Sequence, residues 1–97
     1  MNIIIKEKFK KDYISREAGE QLRKEILSAI ENKENIILDF EDLIIASTSF
    51  FDEGIAKLVE ENVAPERFNE YVTIKGLNRN DQKVLDRVTK YRGFNLK

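Results

Sequence analysis

Three short apolar runs alternate along the chain with three segments in which apolar residues recur every three or four positions. The runs predict β-strands, and the recurrence predicts amphipathic helices. The predicted order is strand Asn2–Phe9, helix Ser15–Asn32, strand Asn35–Phe40, helix Ser49–Asn62, strand Glu70–Leu77 and helix Asn78–Phe94. Helices long enough to cross a sheet favour parallel strands. The sequence therefore predicts an α/β fold of order β-α-β-α-β-α with a mostly parallel sheet, as one domain over residues 1–97.

Four local features refine this outline. The run Asn35–Phe40 is apolar apart from Asp39, which predicts a strand covered on both faces. Residues 43–47, "LIIAS", predict a second short extended piece. Gly19 lies inside the first long helix, where glycine costs about 1 kcal/mol relative to alanine, and indicates either a close approach to another element or mere tolerance. Pro65 is expected to break the chain after the second helix.

The composition excludes several kinds of chemistry. The chain has no cysteine and no histidine, so disulfides, thiolate nucleophiles, a Ser-His-Asp triad and the usual zinc ligands are absent. Charged residues make up 36 % of the chain but sum to a net charge of −1, which gives no long-range attraction to nucleic acid or anionic membranes. No apolar run approaches the roughly 20 residues of a membrane span. We expect a cytoplasmic, non-enzymatic protein without a cofactor or metal.

Three consecutive hydroxyl residues, Ser47, Thr48 and Ser49, stand where an extended segment gives way to a helix. One interpretation is helix capping, because hydroxyl oxygens accept hydrogen bonds from the unpaired N–H groups of a helix start. The other is phosphorylation or docking, because a helix start attracts anions and a phosphate would add nearly two negative charges. Asp52 and Glu53 follow, and they either complement the helix dipole on an exposed turn or provide charge complementarity to a partner.

Three further side chains are candidates for contact with a partner. Phe50 and Phe51 are adjacent, so we expect Phe51 to face the core and Phe50 either to lie under the preceding loop or to be exposed as an anchor for a partner. Arg16 and Arg23 are interleaved with glutamates, which favours a solvated helix surface, with partner contact as the alternative.

A second class of function places a site at the strand ends. Asp39 ends an apolar strand, and the carboxyl ends of parallel strands are where α/β sheets bind ligands. Asp39 could instead bond to the amides of a turn, and Asn78 or Asn80 could simply cap the last helix. The alternative hypothesis is therefore a small-ligand or nucleotide sensor with its site near Asp39, Ser47 and Asn78.

Several of these segments together resemble a known family. The stretches "ILDF" at 37–40 and "ASTSFFDEGIAKL" at 46–58 are similar to the STAS-like domains, a bacterial and phage group without a settled function. The features that fit the group are Asp39-Phe40 ending a strand, Thr48-Ser49 before Phe50, Asp52-Glu53 opening a helix, Arg16, Gly19, Leu22 and Arg23 upstream, and "GLNRN" at 76–80 downstream.

This resemblance implies the STAS fold of the anti-sigma-factor antagonists. In those proteins a serine at the start of the helix after a central strand is phosphorylated by a histidine-kinase-like ATPase that doubles as the anti-sigma factor, and phosphorylation breaks the complex. The equivalent place here is Ser47–Ser49. The parent motif Asp-Ser-Ser-Gly is not kept, because Ala46 precedes the hydroxyls and Phe50 follows them.

The resulting hypothesis is a regulatory protein-interaction module. It docks a histidine-kinase-like ATPase or an anti-sigma factor through residues 46–53, and phosphorylation switches the contact. In this hypothesis Thr48 or Ser49 carries the switch and Phe50 anchors the partner. The edge strand Asn2–Phe9 also offers a surface on which two copies of the chain can pair as a homodimer.

Overall fold

Strands and helices alternate in the structure as the sequence predicts, and the α/β class is confirmed. The structure is a computed structural model that describes residues 1–9 and 15–96. In chain order its elements are β1 Asn2–Ile4, α1 Ile5–Phe9, α2 Arg16–Glu31, β2 Ile36–Asp39, α3 Thr48–Gly54, a 3-10 helix Ala56–Glu61, α4 Pro65–Tyr71, β3 Val72–Lys75 and α5 Arg79–Tyr91. Within these residues no helix has both the length and the apolar character that crossing a membrane requires.

The three strands lie parallel in one sheet, with β2 between β1 and β3. The register places Ile3 of β1 beside Leu38 of β2, and Leu38 beside Ile74 of β3. Parallel neighbours require a connection that returns to the same end of the sheet, and the helices between the strands lie in these connections. The predicted parallel sheet is confirmed, and the chain leaves the carboxyl end of its central strand in the loop that precedes α3.

One face of this sheet packs on the core and the other remains accessible among the described residues. Ile36 and Leu38 are fully buried, whereas Ile37 between them is 38 % exposed. The neighbours of Ile37 in register, Asn2 and Thr73, are exposed as well. The prediction that this strand is covered on both faces is therefore wrong. Because Ile37 is itself apolar, the sequence hides the alternation between inward and outward side chains.

Two predicted strands are shorter than the sequence suggests. The first strand ends at Ile4, and Ile5–Phe9 is helical, with Ile5 and Phe9 buried on one side. Apolar residues four positions apart fit a helical turn, which explains the change. The edge offered for pairing two copies is thus only three residues long. The third strand begins at Val72, because α4 continues to Tyr71.

Three other local predictions also change. Pro65 begins a helix, because its fixed φ suits the first turn and its missing N–H has no partner to lose there. Residues 43–47 form no strand and belong to the loop that follows β2. The predicted second long helix is divided, since α3 ends at Gly54 and a 3-10 helix follows.

Phe50 and Phe51 both lie in the core, although they are adjacent in the chain. Each is fully buried. Phe50 meets Phe9 edge to face at a ring separation of 5.8 Å, and Phe51 tilts against Phe40 at 5.9 Å. The expectation that only one of the pair could face the core is wrong, because α3 packs against both α2 and α5 and more than one of its sides meets the interior.

Gly19 on α2 and Gly54 at the end of α3 bring the two helices into backbone contact. A Cβ atom placed on Gly19 would stand 2.8 Å from the Cβ of Glu53 and 2.8 Å from the carbonyl oxygen of Phe50. A Cβ atom on Gly54 would stand 3.2 Å from the carbonyl oxygen of Gly19. Such distances leave no room for a side chain at Gly19, so the predicted close approach is confirmed.

The variant Gly19→Ala tests this contact. It is expected to lower the free energy of unfolding by about 1–3 kcal/mol, because overpacking outweighs the gain of about 1 kcal/mol in helix propensity. Urea unfolding followed by circular dichroism measures the difference. The matched control is Ser28→Ala, an exposed position on the same helix. Equal stability of the two variants would contradict the contact.

Candidate functional site

The loop that leaves β2, together with the first two residues of α3, carries the three hydroxyl candidates Ser47, Thr48 and Ser49. We call residues 41–49 the hydroxyl loop. Asp39 precedes it, and its Oδ1 accepts a hydrogen bond from the N–H of Glu41 at 2.9 Å. Its Oδ2 lies 3.7 Å from the Lys75 ammonium. The interpretation of Asp39 as a residue that bonds to turn amides is confirmed, and its carboxylate is directed at its own chain.

Asp81, in the first turn of α5, fixes the middle of the hydroxyl loop. It is fully buried, and its carboxylate accepts hydrogen bonds from the backbone N–H groups of Ile45 and Ala46, each at 2.7 Å. Asn78 donates from Nδ2 to the same carboxylate at 2.8 Å and to the Leu43 carbonyl at 3.1 Å. These bonds give residues 43–46 a defined backbone conformation although they form neither helix nor strand.

Sequence reasoning identified Asn78 as a helix cap but missed Asp81. The Asn78 Oδ1 accepts the N–H of Asp81 at 2.9 Å, so the capping role is confirmed. An acidic residue three positions after an N-cap is the signal that was available, because this is the spacing of a capping box. In that motif the acidic side chain reaches back to its own helix. Here it reaches a loop 35 positions earlier in the chain, which no local pattern can show.

The three hydroxyl residues have different surroundings. Ser47 is the N-cap of α3, and its Oγ accepts the N–H of Phe50 at 3.1 Å, which confirms the capping interpretation for this residue. Thr48 is exposed, and Ser49 is half-buried. Thr48 is therefore the most accessible hydroxyl of the three.

The apolar side chain that the hydroxyl loop presents is Ile44 and not Phe50. Phe50 is fully buried, so its predicted role as an exposed anchor is wrong. Ile44 is 75 % exposed, whereas Leu43 and Ile45 on either side of it are buried. The sequence does not show this alternation, because residues 43–45 are all apolar.

Glu53 lies inside an ion-pair cluster between α2 and α3, and the prediction of an exposed turn is wrong for it. It is 8 % exposed and accepts hydrogen bonds from Arg16 at 2.9 Å, Arg23 at 3.0 Å and Lys57 at 3.0 Å. Arg23 also donates to the backbone carbonyl of Glu53. The Arg23 side chain is 12 % exposed, so it is not the solvated residue predicted, whereas Arg16 is 55 % exposed. Glu53 and Arg23 hold the helices together.

Asp52 pairs with Arg92, the residue that follows α5. Its two carboxylate oxygens accept hydrogen bonds from Nε and Nη2 of Arg92 at 2.6 and 2.9 Å, and Arg92 also donates to Glu60 at 2.6 Å. The hydrogen bond from Arg92 lowers the pKa of Asp52 against the opposing effect of burial. The same hydrogen bond raises the pKa of Arg92. Sequence reasoning missed Arg92, because 40 positions separate it from Asp52.

The groove along β3, which has the concave shape of a ligand site, lies away from the hydroxyl loop. It has a volume of about 660 Å³ and is lined by apolar and polar side chains, among them Phe68, Leu85 and Gln82. No group of three acidic side chains in residues 1–9 and 15–96 is placed to hold a metal ion. Asp39 and Asn78, predicted as ligand-binding residues, instead make bonds to neighbouring backbone.

The ionisation of Glu53 provides a test of the ion-pair cluster. Burial raises its pKa, but hydrogen bonds from Arg23, Lys57 and Arg16 together outweigh burial and lower the pKa from 4.5 to about 2. A carboxyl group whose pKa is lowered by folding stabilises the fold above its unfolded-state pKa. That contribution is lost as the pH falls through the folded-state pKa.

We therefore expect Glu53→Gln to lower the free energy of unfolding most at neutral pH. The difference from the unsubstituted protein should shrink as the pH falls from 4.5 to about 2. Urea unfolding of both proteins across this range measures it. A difference that stays constant with pH would show that the charge of Glu53 does not stabilise the fold.

Comparison with known proteins identifies the family. No curated protein and no solved structure matches the chain. Residues 18–82 match the family described as the STAS-like domain of unknown function. The matched segment includes the hydroxyl loop, α3 and Asp81, and it ends before Arg92. Because the match covers more than half of the sequence, the chain belongs to the family of STAS-like domains of unknown function.

Proposed function

We propose that the chain is a non-enzymatic regulatory domain that docks a protein partner through the hydroxyl loop. The observation that carries this proposal is Ile44, which is 75 % exposed on a backbone tied to Asn78 and Asp81. A large apolar side chain on a preorganised loop is typical of a binding anchor, because little conformational freedom is lost when a partner covers it. In this proposal Ile44 takes the anchoring role that was predicted for Phe50.

Phosphorylation at the start of α3 is the switch in this proposal. Thr48 is exposed and lies four positions from Ile44, so a phosphate there would add nearly two negative charges beside the anchor. The carboxylates of Asp52 and Glu53 would oppose such a phosphate less than the sequence suggests, because Arg92 and Arg23 pair with them. Ser49 is the second candidate.

The kind of partner in this proposal rests on the resemblance of the chain to the anti-sigma-factor antagonists. The STAS fold of anti-sigma-factor antagonists implies a histidine-kinase-like ATPase that also acts as an anti-sigma factor. Of the side chains proposed to contact it, Arg16 retains an exposed surface, whereas Arg23 and Glu53 are enclosed between α2 and α3. The contact surface proposed here is therefore residues 41–49, in place of residues 46–53 predicted from the sequence.

The alternative, a small-ligand or nucleotide sensor, has less support. Its three residues, Asp39, Ser47 and Asn78, each accept a hydrogen bond from a nearby backbone N–H group. A thermal shift of the protein with a nucleotide panel tests this alternative. A rise in melting temperature with one nucleotide, abolished by Asn78→Ala, would favour the sensor.

Two substitutions test the docking surface. Affinity capture of the tagged protein identifies the ATPase, and the purified ATPase is then titrated with each variant. We expect Ile44→Asp to weaken binding by about tenfold or more, because it replaces an apolar anchor with a charge. Thr48→Asp, which imitates the phosphate, should weaken binding in the same direction, whereas Thr48→Ala should retain affinity.

Tyr91→Asp is the matched control for Ile44→Asp. Tyr91 is 90 % exposed at the end of α5, so the same charge is introduced at another exposed apolar residue outside the hydroxyl loop. Equal binding of the ATPase by Ile44→Asp and Tyr91→Asp would show that the hydroxyl loop is not part of the interface. Equal binding of the ATPase by Thr48→Asp and Thr48→Ala would show that a negative charge at Thr48 does not switch the contact.

A further inference from the structure

Three hydrogen-bond donors converge on one buried carboxylate next to the hydroxyl loop. The backbone N–H of Ala46 reaches Oδ1 of Asp81 at 2.7 Å. The backbone N–H of Ile45 reaches Oδ2 at 2.7 Å, and Nδ2 of Asn78 reaches the same oxygen at 2.8 Å. Two successive backbone N–H groups aimed at one acidic group are the arrangement with which loops bind anions.

The backbone of the loop is shaped around this carboxylate. Ala46 has a φ of 49°, in the left-handed region that residues with a Cβ atom rarely adopt. Its N–H is nevertheless one of the donors to Asp81. A strained conformation persists only where the surrounding structure holds it. Here the carboxylate of Asp81 holds it, through hydrogen bonds from the backbone N–H groups of Ile45 and Ala46.

We infer that Ile45, Ala46 and Asn78 form an anion-binding site that is filled by the chain's own Asp81, and that this internal anion sets the hydroxyl loop. The ligand class of the site is a carboxylate, supplied within the molecule from the first turn of α5. Asp81 is thereby a positioning residue, because it holds the backbone that follows the exposed Ile44, while Asn78 bonds to the Leu43 carbonyl before it. The link to docking rests on the proposed function, whereas the anion site does not.

Removal and replacement of the carboxylate test the site. In Asp81→Ala the side-chain anion is gone, and the amide hydrogens of Ile45 and Ala46 are expected to exchange with solvent about tenfold to a hundredfold faster, as for the loss of a hydrogen bond to a charged acceptor. Added formate is a free carboxylate, and it should restore slow exchange at these two amides. Sodium chloride at the same ionic strength should not restore it. Amide exchange followed by NMR measures both effects.

Two variants and one amide serve as controls. Asp86→Ala removes an exposed carboxylate of the same helix that accepts a hydrogen bond from Gln82, and it should neither speed exchange in the loop nor respond to formate. The amide of Asn32, bonded to Ser28 at the far end of α2, reports general loosening of the fold. Asp81→Asn keeps the shape of the side chain and serves if the alanine variant does not fold.

Each outcome decides the inference. In Asp81→Asn one of the two backbone donors meets an N–H group, so the loop amides should exchange faster while the Asn32 amide stays protected. Unchanged exchange of Ile45 and Ala46 in the folded variants would overturn the site. Formate that acts no better than chloride on Asp81→Ala would overturn it as well, since the loop would then depend on packing and not on an anion.

The same variants separate this inference from the proposed function. If formate restores both slow amide exchange and affinity for the ATPase in Asp81→Ala, the internal anion positions the docking loop. If formate restores exchange while Ile44→Asp binds the ATPase normally, the anion site stands and the proposed docking function fails.

Discussion

Helices α2 and α3 meet at two residues without side chains, Gly19 and Gly54, and this contact determines the environment of the charge beside it. Because the two backbones touch, the carboxylate of Glu53 is enclosed between the helices. A buried carboxylate is unfavourable unless it is paired and hydrogen-bonded. Arg16 and Arg23 provide that pairing. The close packing of the helices and the ion pairs therefore depend on each other, and the loss of either would leave the other unfavourable.

The other long helix, α5, secures the loop and α3 from both of its ends. Arg92 follows its last residue and pairs with Asp52 of α3. Asp81 lies in its first turn and bonds to the loop backbone. The segment that carries Ile44 and Thr48 is thus held between two charged contacts from a single helix. A loop held in this way presents its exposed side chains in one arrangement, which reduces the entropy lost on binding.

The sequence predicted those parts of the fold that local rules determine. The alternation of apolar runs with amphipathic segments indicated the parallel α/β architecture, and Asn78 caps the last helix as expected. Local rules failed where distant contacts compete with them. Phe50 is buried because α3 has neighbours on several sides, which periodicity does not report. The arginines that pair with Glu53 and the loop amides that bond to Asp81 lie 30 to 37 positions away, so the ion-pair cluster and the tie to the loop could not be predicted.

The separation between paired positions has a consequence for how the chain folds. Asn2 aligns with Ile37, Asp81 reaches Ala46, and Arg92 reaches Asp52, each across some 35 to 40 positions. A parallel sheet has no hairpin from which pairing could begin, so large loops must close before these contacts form. A fragment much shorter than that separation contains none of these contacts. We therefore expect the chain to fold in one cooperative step, more slowly than a helical bundle of its size, and only once most of it has left the ribosome.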